Sequence, residues 1–320
     1  MSRRRSIDWV AVHQAALHDQ IRHADLLELG VLSSTIARRV HAGTWGRSAF
    51  GVISLTGPPR TLDQRLAGAV LYGGPGAVLS GVAAARLHGL ERLPNQPAGT
   101  ALLLIGHDKH RVSRGLITVE RTTRLPEPRA IRGLPVAPVT RAVVDAAKRL
   151  EGTDQIRAFL AETVQRRFTT ATALRTELEA GSGRGTAKVR PVLVEIEDGV
   201  RSVPEAKARA LAASIPDLPP MMWNPRLVLD DGTWLADPDG WLDDVGLAWE
   251  IHSFRHHADP DAFDDTLSRQ ARITSTGVHV IAHTPRQIES DRGRVRADLL
   301  AAYRAASLRP RPAVTALPAA

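Results

Sequence analysis

Residues 237–253 read DPDGWLDDVGLAWEIHS. The second part, residues 245–253, is an apolar run that carries one carboxylate, the pattern of a buried strand. Alternate side chains of an extended strand share a face. Glu250 and His252 therefore point one way, and Trp249 and Ile251 point the other way, into a core. A carboxylate in such a run is costly unless it is paired or metal-bound. If Asp239 lies beside the neighbouring strand, its carboxylate meets that of Glu250. Two convergent carboxylates are hard oxygen ligands suited to Mg²⁺ or Mn²⁺. Glu205, on a preceding helix, is a candidate third. Such a cation would activate water and stabilise the charge that develops on a phosphodiester. A nitrogen base beside it would orient the water. No lysine follows Lys207, so His252 is the positional candidate, with His256 and His257 close behind. The competing reading is a satisfied buried polar network. Asp237, Asp239, Asp243 and Asp244 crowd a Pro- and Gly-containing loop where aspartate also serves turns.

Working outward from this run, residues 203–214 are predicted to be a helix capped by Ser202, with Glu205 in its first turn. Residues 227–229 and 233–236 are strands around an Asp-Asp-Gly turn. A helix is expected over about 261–276, a strand over 278–283 and a last helix over 292–306. The order across residues 195–306 is α-β-β-β-α-β-α. The Pro- and Ala-rich residues 308–320 are expected to be disordered.

The other end of the chain reads differently. Residues 9–18, 24–29 and 34–41 are helical, the second stopped by Gly30 and the third capped by Ser33. A turn at 43–46 leads into a short alternating strand over 49–55, completing a hairpin. Helix, tight turn, helix and a two-stranded wing over residues 1–60 is the plan of a winged helix-turn-helix. The third helix would enter the major groove, with Arg38 and Arg39 at phosphate or base edges and Arg47 on the wing. The hairpin is alternatively a homodimer contact. Residues 61–180 form a middle α/β segment, with helices near 62–71, 77–90, 141–150 and 153–164 and strands at 101–106 and 116–121. His107 and His110 are read as part of a polar turn. The fold class is thus mixed α/β, in three parts.

Composition agrees with DNA as a partner. The chain has 320 residues and a formal net charge of +8. Residues 1–150 hold 21 basic and 10 acidic residues, a net +11, whereas residues 151–320 hold 21 and 24, a net −3. A basic half suggests an anionic partner, and nucleic acid is the commonest. Cysteine is absent, which excludes disulfides, thiolate metal sites and cysteine nucleophiles and fits a reducing cytoplasm. Residues 66–85 lack charge over the length of a membrane span, but Gly73-Gly-Pro-Gly76 divides them, so they are read as two buried helices and no membrane partner is expected. No glycine loop has the order of a nucleotide-binding motif.

The segments RSVPE (201–205), WEIHSFRHH (249–257), FDDTLSRQAR (263–272) and GVHVIAHTP (277–285) resemble the restriction-endonuclease-like PD-(D/E)xK superfamily, in particular the subgroup related to very-short-patch repair endonucleases. The resemblance covers about a third of the chain. It implies Asp239 and Glu250 as metal ligands, Glu205 in support and Arg269 facing the site. The third motif position, normally lysine, is His252. Separately, LLELG (26–30), IARR (36–39), GTWGR (43–47) and GVIS (51–54) resemble the winged-helix domain of abortive-infection type IV antitoxins. LSGVAAARLHG (79–89) and LPVAPVTR (134–141) are similar to the body that accompanies it, and the combination resembles a group of actinobacterial proteins. Together they imply either a metal-dependent DNA endonuclease, in defence or repair, or a catalytically inactive antitoxin-like regulator with a partner toxin. A third reading makes the C-terminal part a protein-binding module.

Overall fold

A computed structural model describes residues 7–198, 200, 202–251 and 270–318. The chain divides into two compact units, Met1–Leu193 and Val194–Ala320. Both mix helices with sheets.

The first unit begins α1 (Trp9–Gln14), β1 (Gln20–Arg22), α2 (His23–Glu28), α3 (Ser33–His41), β2 (Gly46–Ala49) and β3 (Val52–Ser54). The strands form an antiparallel sheet in the order β1-β3-β2. Val12, Ile21, Leu26, Ile36, Trp45 and Ile53 close a small core between helices and sheet. Strand β1 was not expected from the sequence, since three residues are too short to show alternation. The expected single strand over 49–55 is the second arm of the β2–β3 hairpin. The expected cap Ser33 is already helical, and Leu32 occupies the cap position without a side-chain bond.

The remainder of this unit comprises α4 (Leu62–Gly73), β4 (Val78–Ser80), α5 (Gly81–Leu87), β5 (Ala101–Gly106), β6 (Ile117–Thr122), β7 (Arg129–Ile131), β8 (Leu134–Val136), α6 (Val139–Ala147), α7 (Thr153–Gln165) and α8 (Ala171–Ala180), with α9 (Val189–Glu197) at the unit boundary. Five strands form a mixed sheet in the order β6-β5-β4-β8-β7. Helix α4 packs on both sheets of the unit. Thr61 and Gln64 form a capping box at its start, and Gln64 Nε2 also donates to Asp19 and Thr56. Gly68 permits the closest approach: a Cβ there would lie 2.8 Å from Ser48 Oγ on β2. Gly68 and Gly73 are thus close contacts of this helix, whereas Gly74, Gly76 and Gly81 take positive φ beyond it. The expected second helix over 77–90 gives way to strand β4 at residues 78–80, paired with β5 and β8.

The second unit contains α10 (Val203–Ala213), β9 (Met222–Trp223), β10 (Arg226–Leu229), β11 (Trp234–Ala236), β12 (Gly240–Leu242), β13 (Leu247–Ile251), β14 (His279–His283), α11 (Pro285–Ser290), α12 (Arg292–Ser307) and β15 (Val314–Leu317). Ser202 caps α10 as expected, accepting from Glu205 N–H at 3.3 Å. One sheet runs β14-β13-β12-β9, with β13 and β14 parallel and the other pairs antiparallel. Leu242, Leu247 and Trp249 pack against α10, α11 and α12 on one face. Trp241 and Ala248 pack on the other face against β10, β11 and β15.

Part of the stretch expected to be disordered, residues 314–317, is instead a strand. Residues 314–317 pair antiparallel with β10, and Val314 enters the core beside Trp241. The alternation of Val314, Thr315, Ala316 and Leu317 suits a strand, but the neighbouring prolines mask it. Arg311 fastens this strap: its Nε donates to the Asp243 carbonyl at 2.6 Å, and its Nη2 donates to Asp243 Oδ1 at 2.8 Å and the Val314 carbonyl at 3.1 Å. The Trp241 indole N–H, and then Arg311, hold the Asp243 carboxyl below its ordinary range. A depressed carboxyl contributes stability above its unfolded pKa, and that contribution is lost as pH falls through the folded value. Among the described residues, no helix is long and apolar enough to cross a membrane.

Arg311→Ala is expected to release β15. Limited proteolysis would then clip the C-terminal segment at a pH where the wild type resists; equal resistance would show that the β10 pairing and Val314 retain the strand without Arg311.

Candidate functional site

The register of β12 on β13 positions the two leading carboxylates. Gly240 pairs with Trp249 and Trp241 with Ala248, so one further step sets Asp239 opposite Glu250. Directly opposed residues of an antiparallel pair have Cβ atoms about 5 Å apart on a common face. Pro238 has no N–H to continue the ladder. The Asp239 side chain takes over at this point: Oδ2 accepts the Ile251 N–H at 2.7 Å. Glu250 is 4% exposed, on the sheet face that also carries Trp241 and Ala248. It lies at the carboxyl end of the parallel β13–β14 pair, where ligand sites of open α/β sheets gather.

Glu205 joins this edge through an asparagine that sequence reasoning missed. Asn224 follows β9 with φ of +53°, a conformation asparagine tolerates better than most residues. Its N–H donates to the Asp239 carbonyl at 3.0 Å, and its Nδ2 donates to Glu205 Oε1 at 2.6 Å. Arg209, one turn along α10, donates to the same Oε1 through Nη2 at 2.7 Å and Nε at 3.1 Å. Its guanidinium also lies over Trp223, 5.0 Å from the ring centroid. Glu205 is 3% exposed, so this set of donors offsets its loss of water. The bonds connect α10, β9, the start of β12 and the end of β13 in one polar chain.

The donor chemistry sets which residues fit a divalent cation. The register sets Asp239 and Glu250 opposite each other, and Mg²⁺ commonly takes one or two carboxylates while keeping waters. Glu205 fits less well, because one oxygen already receives three protein N–H groups. Among the described residues no group of three or more His, Asp or Glu side chains is placed to hold a metal. His252, His256, His257 and Arg269 lie outside the described residues.

On the opposite sheet face sits a second buried polar group, also missed. His283 accepts the Trp249 indole N–H at Nδ1, 3.0 Å away. An indole nitrogen only donates, so the neutral ring carries its proton on Nε2, which faces Asp298 Oδ2 at 3.4 Å. This group secures β13 to β14 and α12 from behind Glu250.

In the first unit, Arg38 on α3 and Arg47 on β2 are exposed. Arg39 is held differently from expectation. Its guanidinium lies 4.3 Å from the Trp9 ring centroid and 5.0 Å from that of Trp45. The two indoles meet edge-on at 6.2 Å. Arg39 thus joins α3 to α1 and the hairpin through stacked charge.

No family model matches the chain, and no curated protein matches it.

Asn224→Ala removes a donor to a buried carboxylate and a residue suited to positive φ. It is expected to cost about 2–3 kcal/mol of unfolding free energy in the second unit, measured by denaturant titration. Asn224→Gly should recover only the backbone part of that loss.

Proposed function

We propose that this is a DNA-binding protein whose first unit docks on duplex DNA through a winged helix and whose second unit is a nuclease-type domain with a two-carboxylate metal site. One observation carries the reading. Residues 9–54 run helix, strand, helix, helix, strand, strand, with exposed Arg38 on the third helix and exposed Arg47 on the hairpin. In this reading α3 lies in the major groove, Arg38 meets base edges or phosphate, and Arg47 meets the backbone beside it. Arg39 positions α3 through the two indoles and does not reach the DNA itself.

The second unit supports the nuclease reading by its order: a helix, then the β12–β13 hairpin, then β14 parallel to β13, with Asp239 and Glu250 at one edge. These two would hold Mg²⁺ or Mn²⁺. When bound, the cation supplies water activation and charge stabilisation at the phosphodiester. Asp239 keeps its geometry through the Ile251 N–H. Asn224 and Arg209 fix Glu205 behind it, as a positioning residue. His252 is the candidate base on this reading, with His256 the next candidate along the chain.

A specific observation favours a second reading, an inactive antitoxin-like regulator acting as a homodimer or with a partner toxin. Glu205 is committed to Arg209 and Asn224, which leaves a carboxylate pair where a third ligand was expected. One experiment separates the two. Mn²⁺ is titrated by calorimetry into wild type and Glu250→Ala, and plasmid is then added to each. The nuclease reading expects Mn²⁺ binding and nicking in the wild type and neither in the variant. DNA binding without nicking selects the regulator.

DNA affinity should fall with salt at a log–log slope of about −5, as for six neutralised phosphates. If Arg38 and Arg47 each meet one phosphate, replacing either by alanine should flatten that slope by about 1. A slope unchanged in both variants would remove α3 and the hairpin from the interface.

A further inference from the structure

Helix α6 carries Arg141 and Asp145 four residues apart within an otherwise apolar run, and both are buried. Asp145 Oδ2 accepts the Ser80 hydroxyl at 2.7 Å and Arg141 Nε at 2.8 Å. Arg141 Nη1 donates to the Arg124 carbonyl at 3.3 Å and to Glu177 Oε1 at 3.4 Å. Arg124 in turn grips both oxygens of Glu177, each at 3.2 Å. The guanidinium of Arg141 is therefore locked in place, with its side chain only 10% exposed. Its Nη2 makes no hydrogen bond among the described residues, and Arg141 lines the adjoining cavity.

The opening beside it is a cavity of about 430 Å³ between β6, α6 and α8. Arg121, Arg124, Arg141 and Lys148 line it, as do Glu120, Asp145 and Glu177. The anions are already taken. Glu120 is paired with Arg149, which stands outside the lining, and Asp145 and Glu177 are held as above. Among the described residues Arg121 makes no ion pair, and Lys148 Nζ donates only to the Ser182 carbonyl, at 3.2 Å. A concave wall with surplus cations concentrates anions. A guanidinium fixed in advance loses little entropy when it binds phosphate oxygens. The volume lies in the range of small-molecule sites. A purely structural tie would need Ser80, Asp145 and Arg141, but not Arg121 and Lys148 on the same cavity.

We propose that this cavity binds the phosphate group of a small phosphorylated molecule, with Arg141 Nη2 at its base and Arg121 and Lys148 closing on it. This assignment stands independently of the DNA and nuclease readings. The phosphates of DNA share the chemistry, so the test separates the two sources.

Inorganic phosphate, pyrophosphate and adenosine 5′-monophosphate would each be titrated by calorimetry into the full chain at constant ionic strength. Saturable binding of at least one is expected, retained in an Arg38→Ala/Arg47→Ala variant. Arg121→Ala and Lys148→Ala should each weaken it about tenfold, the loss of one charge-assisted bond, without altering the unliganded melting temperature. Arg141→Lys keeps the charge but not the fork, and should weaken binding by a similar factor. No saturable binding of any of the three probes would overturn the proposal. So would equal affinity in the Arg121 and Lys148 variants, or binding of a duplex oligonucleotide alone at this cavity.

Discussion

A carboxylate withdrawn from water must be held by donors or by a cation. Both units are arranged around that requirement. In the second unit, Glu205 draws Arg209 and Asn224 to itself, and Asn224 reaches on to the start of β12. Asp239 takes the Ile251 N–H where Pro238 ends the ladder. In the first unit, Asp145 gathers Ser80 from β4 and Arg141 from its own helix. The Asn224, Asp239 and Ser80 bonds join separate elements, whereas Arg209 and Arg141 pair with carboxylates of their own helices. Apolar burial supplies most of the driving force for compaction, while the polar chains set which strand end meets which helix.

Much of this was legible in residue pattern, and the failures have physical causes. Ser202, the helix behind it, the Asp-Asp-Gly hairpin and the run around Glu250 were readable because capping, turn chemistry and alternation are local. Strands β1, β4, β9, β12 and β15 were not, because each spans four residues or fewer and owes its existence to partners distant in sequence. Gly68 left no readable signal, since its role is a close contact that only the neighbouring Ser48 reveals. Asn224 carried no motif, since its role comes from a left-handed backbone turn between two acidic residues. Arg141 and Asp145 did leave a signal: opposite charges four apart in an apolar helix mark a buried ion pair, and such a pair directs attention to the cavity beside it.

The uneven charge of the chain gains meaning from these sites. The basic first half carries the exposed arginines of α3 and the hairpin and also the cavity lined by Arg121, Arg124, Arg141 and Lys148. Arginine is used differently at each. Arg38 and Arg47 are solvated, Arg39 is laid across two indoles, and Arg141 is immobilised by carboxylates. In the acidic second half, Asp239 at the start of β12 stands opposite Glu250 on β13, where like charges repel unless neutralised.

The strap formed by β15 ties the order of folding to the order of synthesis. Leu229 pairs with Val314, and the core around Trp241 and Leu227 includes that valine. While a ribosome is still extending the chain, β10 has β11 beside it but its other edge is bare. This half-finished sheet must wait for residues 314–317 to emerge, with Trp241 incompletely covered in the interval. Contacts that span so much chain form slowly, and open edges of this kind are where nascent chains adhere to one another. The three-stranded sheet of the first unit, by contrast, has all its strands once Ser54 has emerged.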